Sequence, residues 1–192
     1  MEIANPIYDV VFKYLMNDKR IAKLIISRII GEKVISLEPK PQENIVAVDG
    51  PVCSWTVVRF DFAARIETAK GHKQVIVEIQ KAKLPTDIMR FRRYLGQQYQ
   101  NSQNVRVEHV KDIEQRVALP IVSIYFLGYN LDHTKDVPLI KVNRKYYDAA
   151  TGKELTHREE FIESLTHDSF VVQIRALKGK RIPVLMQDQF DV

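Results

Sequence analysis

Apolar positions along the chain fall at helical spacing in some stretches and at strand spacing in others. After Asn5-Pro6, a pairing suited to a helix cap and first helical position, Ile7, Val10, Val11, Tyr14 and Leu15 recur at helical intervals. Asn17-Asp18 breaks this run and offers a new cap. Ile21, Leu24, Ile25, Arg28 and Ile29 then predict a second amphipathic helix, with Gly31 as its stop. Short strand-like runs follow at residues 34–38 and 44–48, separated by Pro39 and Pro41, and Asp49-Gly50-Pro51 predicts a turn.

The middle of the chain is the most legible. Residues 55–69 and 72–82 read as two strands joined at Lys70-Gly71, a good two-residue hairpin turn. A helix opened by Pro85-Thr86-Asp87 runs through Gln103, with Ile88, Phe91, Leu95 and Tyr99 at helical spacing. Residues 104–116 are polar and charged and read as a loop. The continuous apolar run Ile121-Val122-Ser123-Ile124-Tyr125-Phe126-Leu127 suits a buried strand. Further strands are expected at 137–147 and 169–177, turns at Asn143-Arg144-Lys145 and Ala150-Thr151-Gly152, and a short helix at 158–165. No internal repeat, low-complexity tract or linker interrupts the 192 residues, a length that suits one domain with a real core. The expectation is a single α/β domain over residues 1–192.

With Lys70 and Gly71 as the turn, Asp61 faces Gln80, Ala63 faces Glu78 and Arg65 faces Ile76. Side chains alternate along a strand, so Asp61, Ala63, Arg65, Glu78 and Gln80 share one face. The other face pairs Phe62 with Ile79, Ala64 with Val77 and Ile66 with Val75; it is wholly apolar and belongs on a core. Asp61 and Glu78 then lie diagonally, roughly 5–8 Å apart at their side-chain roots. Two carboxylates that close repel unless a cation lies between them. Hard divalent cations such as Mg²⁺ take one or two carboxylates, waters and substrate phosphate oxygens, and the Ile79 backbone carbonyl is a further available ligand. The small Ala63 leaves room for such a ligand. The same residues, with Arg65, also read as a solvated ion-pair network on an exposed sheet face.

Composition narrows the other possibilities. Apolar residues make up 45% of the chain and charged residues 28%, a globular balance. No segment approaches the ~18 consecutive apolar residues of a membrane span, and the N-terminus lacks a signal-peptide pattern, so a cytoplasmic protein without membrane contact is expected. The lone Cys53 supports neither an internal disulfide nor a zinc site, and the five histidines show no metal-binding spacing. Lys+Arg minus Asp+Glu is 29 − 24 = +5, which is compatible with a nucleic-acid partner. His167-Asp168 has no nucleophile that the sequence places beside it, and no phosphate-binding glycine loop is present.

Arg59-Phe60-Asp61-Phe62, a turn, then Val77-Glu78-Ile79-Gln80 resembles the paired motif of the PD-(D/E)XK nucleases. Gln in the last place is the variant of the transposase-like, recombination-promoting branch. Asp9-Val10-Val11-Phe12-Lys13 resembles that branch's D-x-x-F-K helix segment. Arg90-Phe91-Arg92-Arg93-Tyr94, followed by Tyr99 and Gln103, resembles the helix after the motif, and Pro120-Ile121-Val122-Ser123-Ile124 the next core strand. These segments span roughly residues 5–130, with residues 131–192 adding strands and a short helix.

The resemblance implies a restriction-endonuclease-like core, a central mixed β-sheet flanked by helices. It also implies Mg²⁺-dependent hydrolysis of DNA phosphodiester bonds (Mn²⁺ substituting), linked to transposition or recombination. Carried over, Asp61 and Glu78 would be metal ligands together with the Ile79 carbonyl. Gln80 stands where many relatives have a catalytic Lys, and Asp9 would be an accessory acid. Gln80 carries no charge but can orient a water by hydrogen bonding. Arg65, Lys83, Arg90 and Arg93 are candidate DNA contacts. Relatives continue with more helical sequence, so the chain is expected to be shortened or truncated at its C-terminal side. The alternatives are a catalytically silent nuclease-fold module that binds DNA or a protein, and a subunit whose exposed sheet makes a homodimer.

Overall fold

The computed structural model describes residues 9–39, 59–68, 71–82, 85–110 and 113–177. Its first elements are α1 (Asp9–Asn17) and α2 (Lys19–Ile30). Asp18 caps α2: its carboxylate accepts the backbone N–H groups of Arg20 at 2.9 Å and Ile21 at 3.3 Å. Gly31 ends the helix at φ 71°, a left-handed conformation that costs glycine little. Both ends agree with the sequence expectation.

The strands are β1 (Val34–Pro39), β2 (Arg59–Thr68), β3 (Gly71–Ala82), β4 (Val105–Val110), β5 (Ile113–Ala118), β6 (Ile121–Leu127), β7 (Leu139–Val142), β8 (Tyr146–Tyr147), β9 (Glu154–Leu155) and β10 (His167–Gln173). A 3₁₀ turn at Pro85–Asp87 leads into α3 (Ile88–Gln100), and α4 (Glu160–Leu165) precedes β10. Among the described residues a six-stranded sheet runs in the order β1-β2-β3-β6-β10-β7. β3–β6 and β6–β10 are parallel and the other pairs antiparallel, so the sheet is mixed. The parallel step from β3 to β6 needs a crossover, and α3 supplies it.

The alternation of side chains divides the sheet into two unlike faces. Phe62, Ala64, Ile66, Val75, Val77, Ile79, Ile124 and Phe126 are buried against Phe12 and Met16 of α1 and Ala22, Ile26, Ile29 and Ile30 of α2. Beneath α3, Leu95 packs with Ile76, Leu119 and Ile121, while Phe91 packs with Tyr125, Leu127 and Val171. The protein is therefore α/β, with a mixed central sheet flanked by helices. Among the described residues no helix is long and apolar enough to cross a membrane.

Several expectations change. The hairpin register places Asp61 opposite Glu78, Ala63 opposite Ile76 and Arg65 opposite Gln74, so Asp61's partner moves two residues from Gln80 to Glu78. Thr68 pairs with Gly71, so Gly71 belongs to the strand; the turn residues between them, like residues 44–48 and 55–58, lie outside the described residues. Residues 104–116, expected as a loop, instead supply most of the β4–β5 hairpin, which extends to Ala118 and forms its own sheet. Its charged positions on both faces concealed it: no described side chain of the arm is buried, so no apolar face was required. α3 stops at Gln100 rather than at Gln103. The strand expected at 137–147 is two short strands, broken where Arg144 turns into a side-chain cluster. The strand expected at 169–177 ends at Gln173 and continues as a 3₁₀ turn, Ile174–Leu177.

Candidate metal and nucleic-acid site

The observed register brings two acidic positions of the hairpin directly opposite each other. Positions 61 and 78 are Cα partners on adjacent antiparallel strands, rather than diagonal neighbours. For directly opposed positions the Cβ separation is about 4.5–5.5 Å. A shift of two residues preserves the alternation, so Asp61, Ala63, Arg65, Glu78 and Gln80 still occupy one face, the face that α3 covers.

The row continues across the sheet. Glu78 pairs with Ser123 of β6, and Ser123 with Ser169 of β10. Polar positions 61, 78, 123 and 169 thus cross the sheet in line. On β3 and β6 the row is bracketed by Ile76 and Ile121 on one side and by Gln80 and Tyr125 on the other. Leu95 lies with the first pair, while Phe91 stacks on the Tyr125 ring at 4.8 Å between centroids. Ser123 has no solvent exposure, and its Oγ has no hydrogen-bond partner. An unsatisfied buried hydroxyl costs about 1–3 kcal/mol.

Gln80 is also fully buried, and its Nε2 lies 3.5 Å from the Phe91 carbonyl, the outer limit of a hydrogen bond. Its carboxamide therefore lies against the α3 backbone. Lys81 falls on the opposite face, as the alternation requires. It is buried with its Nζ 5.6 Å from the Phe12 ring centroid, away from the row. Ile79 is buried in the α1–α2 core, and its strand lies between β2 and β6.

Arg65 is exposed on β2, where Ser36 of β1 is its partner on the other side. Arg90 is partly buried and paired with Asp87, while Arg92 and Arg93 are exposed on α3. Asp9 is the first residue of α1. The side chains of Asp9, Asp61 and Glu78, and all of Lys83, lie outside the described residues. Among the described residues no group of three His, Cys, Asp or Glu side chains gathers as a metal site.

A second polar cluster, which sequence reasoning missed, joins β10, α4 and the segment after β7. The Arg144 guanidinium donates to Asp168 Oδ1 at 3.0 Å, Glu163 Oε2 at 2.9 Å and Thr166 Oγ1 at 2.8 Å. The backbone N–H of Arg144 also donates to Asp168, at 3.1 Å. Arg158 and the Tyr146 hydroxyl complete the contacts to Glu163. Burial alone would raise the Asp168 carboxyl, but its hydrogen bonds to Arg144 and the charges of Arg144 and Arg158 outweigh this and hold it low. Beside it, His167 Nδ1 is 3.0 Å from the Tyr99 hydroxyl of α3. Burial first, then the Arg144 charge, lowers the His167 imidazole below its ordinary value. His167-Asp168 is thus committed to structural contacts. The signal for Ser123 was visible as one hydroxyl inside an apolar strand; the Arg144 contacts had no local signal.

Comparison with protein-family models, with characterised proteins and with solved structures finds no match to this chain.

Proposed function

We propose that this protein is a Mg²⁺-dependent DNA endonuclease with a restriction-endonuclease-like core, linked to transposition or recombination. The observation that carries the reading is the register pairing of Asp61 with Glu78 on the α3 side of the sheet, beside a buried hydroxyl that has no partner. Asp61, Glu78 and the Ile79 carbonyl would hold the cation. This donor set is all oxygen, the chemistry a hard divalent cation prefers, and the unpaired Ser123 Oγ next to Glu78 is consistent with a polar occupant. When bound, Mg²⁺ or Mn²⁺ supplies charge for the phosphate oxygens and makes a nearby water more acidic.

The chain's own groups account for the rest. Arg92 and Arg93, exposed on the helix over the site face, would hold backbone phosphates, with Arg65, Lys83 and Arg90 as further contacts. Gln80 would orient the attacking water, and Asp9 would serve as an accessory acid.

The buried position of Gln80 favours a second reading. A carboxamide held against α3 brings no positive charge to the scissile phosphate, as fits a module that binds DNA or a protein partner without cutting. Incubation of supercoiled plasmid with Mg²⁺, Mn²⁺ or EDTA, beside Asp61→Ala and Glu78→Ala, separates the two. Metal-dependent nicking lost in both variants supports the endonuclease. Intact plasmid with every metal refutes it in favour of the binding module.

A further inference from the structure

We infer that Ser123 is a positioning residue of the cation site, its hydroxyl donating to the Glu78 carboxylate when a divalent cation is held there. The inference rests on the cation site proposed above and assigns it a further residue. Three features of the fold lead to it. Ser123 is the Cα partner of Glu78 across the parallel β3–β6 pair, so the two share a face and a row. Its side chain is fully buried between the contacts that Leu95 and Phe91 make with the sheet. Its Oγ has no hydrogen-bond partner.

Folded proteins leave few buried polar groups unpaired, and an unpaired one calls for a partner from outside the chain or from a rearranged neighbour. A serine hydroxyl offers one donor and two acceptor lone pairs. Drawing the Glu78 carboxylate toward a cation places an acceptor next to that donor. The hydrogen bond would fix the carboxylate's orientation as a ligand, as outer-shell donors do in other metal sites. Ser169, the next residue of the row, is partly exposed and is not assigned this role.

The test is Mn²⁺ binding to the full chain without DNA, followed by electron paramagnetic resonance of free Mn²⁺, with thermal unfolding in EDTA measured in parallel. Ser123→Ala is expected to weaken Mn²⁺ binding by about 10–100-fold, with an unfolding midpoint in EDTA equal to or above that of the wild type. Equal Mn²⁺ affinity in wild type and Ser123→Ala would overturn the inference and leave the cation site standing. A lowered midpoint in EDTA would overturn it too, because the hydroxyl would then support the metal-free fold. If the wild type bound no Mn²⁺, the cation site itself would fall, and this role with it.

Discussion

The Arg144 cluster and the polar row beneath α3 lie on the same sheet and are built in opposite ways. Around Arg144 the groups answer one another: the guanidinium meets two carboxylates, a hydroxyl and backbone carbonyls. In the row, Ser123 is more deeply buried than any of these groups, yet its hydroxyl has no partner. A polar cluster that holds a fold together gains stability only when it is closed, because each unpaired buried group is destabilising. A site that receives a ligand keeps part of its hydrogen-bonding capacity open. The difference marks the Arg144 cluster as a clamp, and the open hydroxyl of the row is what the proposed cation site builds on.

The largest stability effect should come from the apolar face behind the row. Ile124 adjoins Ser123 in sequence but faces α1–α2 with no exposure, so Ile124→Ala should cost about 2–5 kcal/mol in urea unfolding. Arg144→Ala should follow at about 2–3 kcal/mol, since it removes the main partner of Asp168 and one of the partners of Glu163, whose side chains are 19% and 18% exposed. A negligible effect there would mean that the cluster is not a clamp.

Acid should destabilise the clamp and the neighbouring His167 contact in two steps. The lowered His167 pKa gives a contribution complete above the ordinary value of 6.5 and lost as pH falls below it. Asp168, also lowered, contributes fully above 3.8, and this is lost as pH falls through its lower folded value. Unfolding midpoints measured from pH 8 to about pH 2 should show both declines, and Arg144→Ala should flatten the second. A profile unchanged by Arg144→Ala would break the assignment of the second decline to Asp168.

The smallest effects should separate the row from the clamp. Ser123→Ala removes an unsatisfied hydroxyl and should leave stability unchanged or raise it by up to about 1 kcal/mol in the metal-free protein. Tyr99→Phe removes one partly exposed hydrogen bond to His167 and should cost about 0.5–1 kcal/mol. If Ser123→Ala proved the more costly of the two, the contrast between open row and closed clamp would be wrong.

Much of this fold was legible because its cues are local. Asp18 and Gly31 bound α2 through capping contacts within a few residues of each other, so spacing alone located both. Ile121–Leu127 was recognisable as a strand because both faces of it are covered. The β4–β5 hairpin was not legible, because a strand pair with few buried side chains needs no apolar alternation. The candidate site was half legible: Asp61, Glu78 and Gln80 could be assigned to one face, but not to their cross-strand partners.

By itself the sequence determined which residues share a face of the hairpin, because side chains alternate with a period of two and the two-residue register shift leaves that period intact. It also determined that the face carrying Phe62, Ala64, Val75 and Val77 belongs to the core, since burial of those side chains is the dominant driving force. Only the tertiary structure decided that Asp61 opposes Glu78, that Ser123 stands next in the row and that Arg144 reaches Asp168. The first is the register of the β2–β3 hairpin, whereas the last two pairings join segments far apart in the chain. They are set by how α3 carries β3 over to β6 and by how β10 enters the sheet, and no local pattern encodes either.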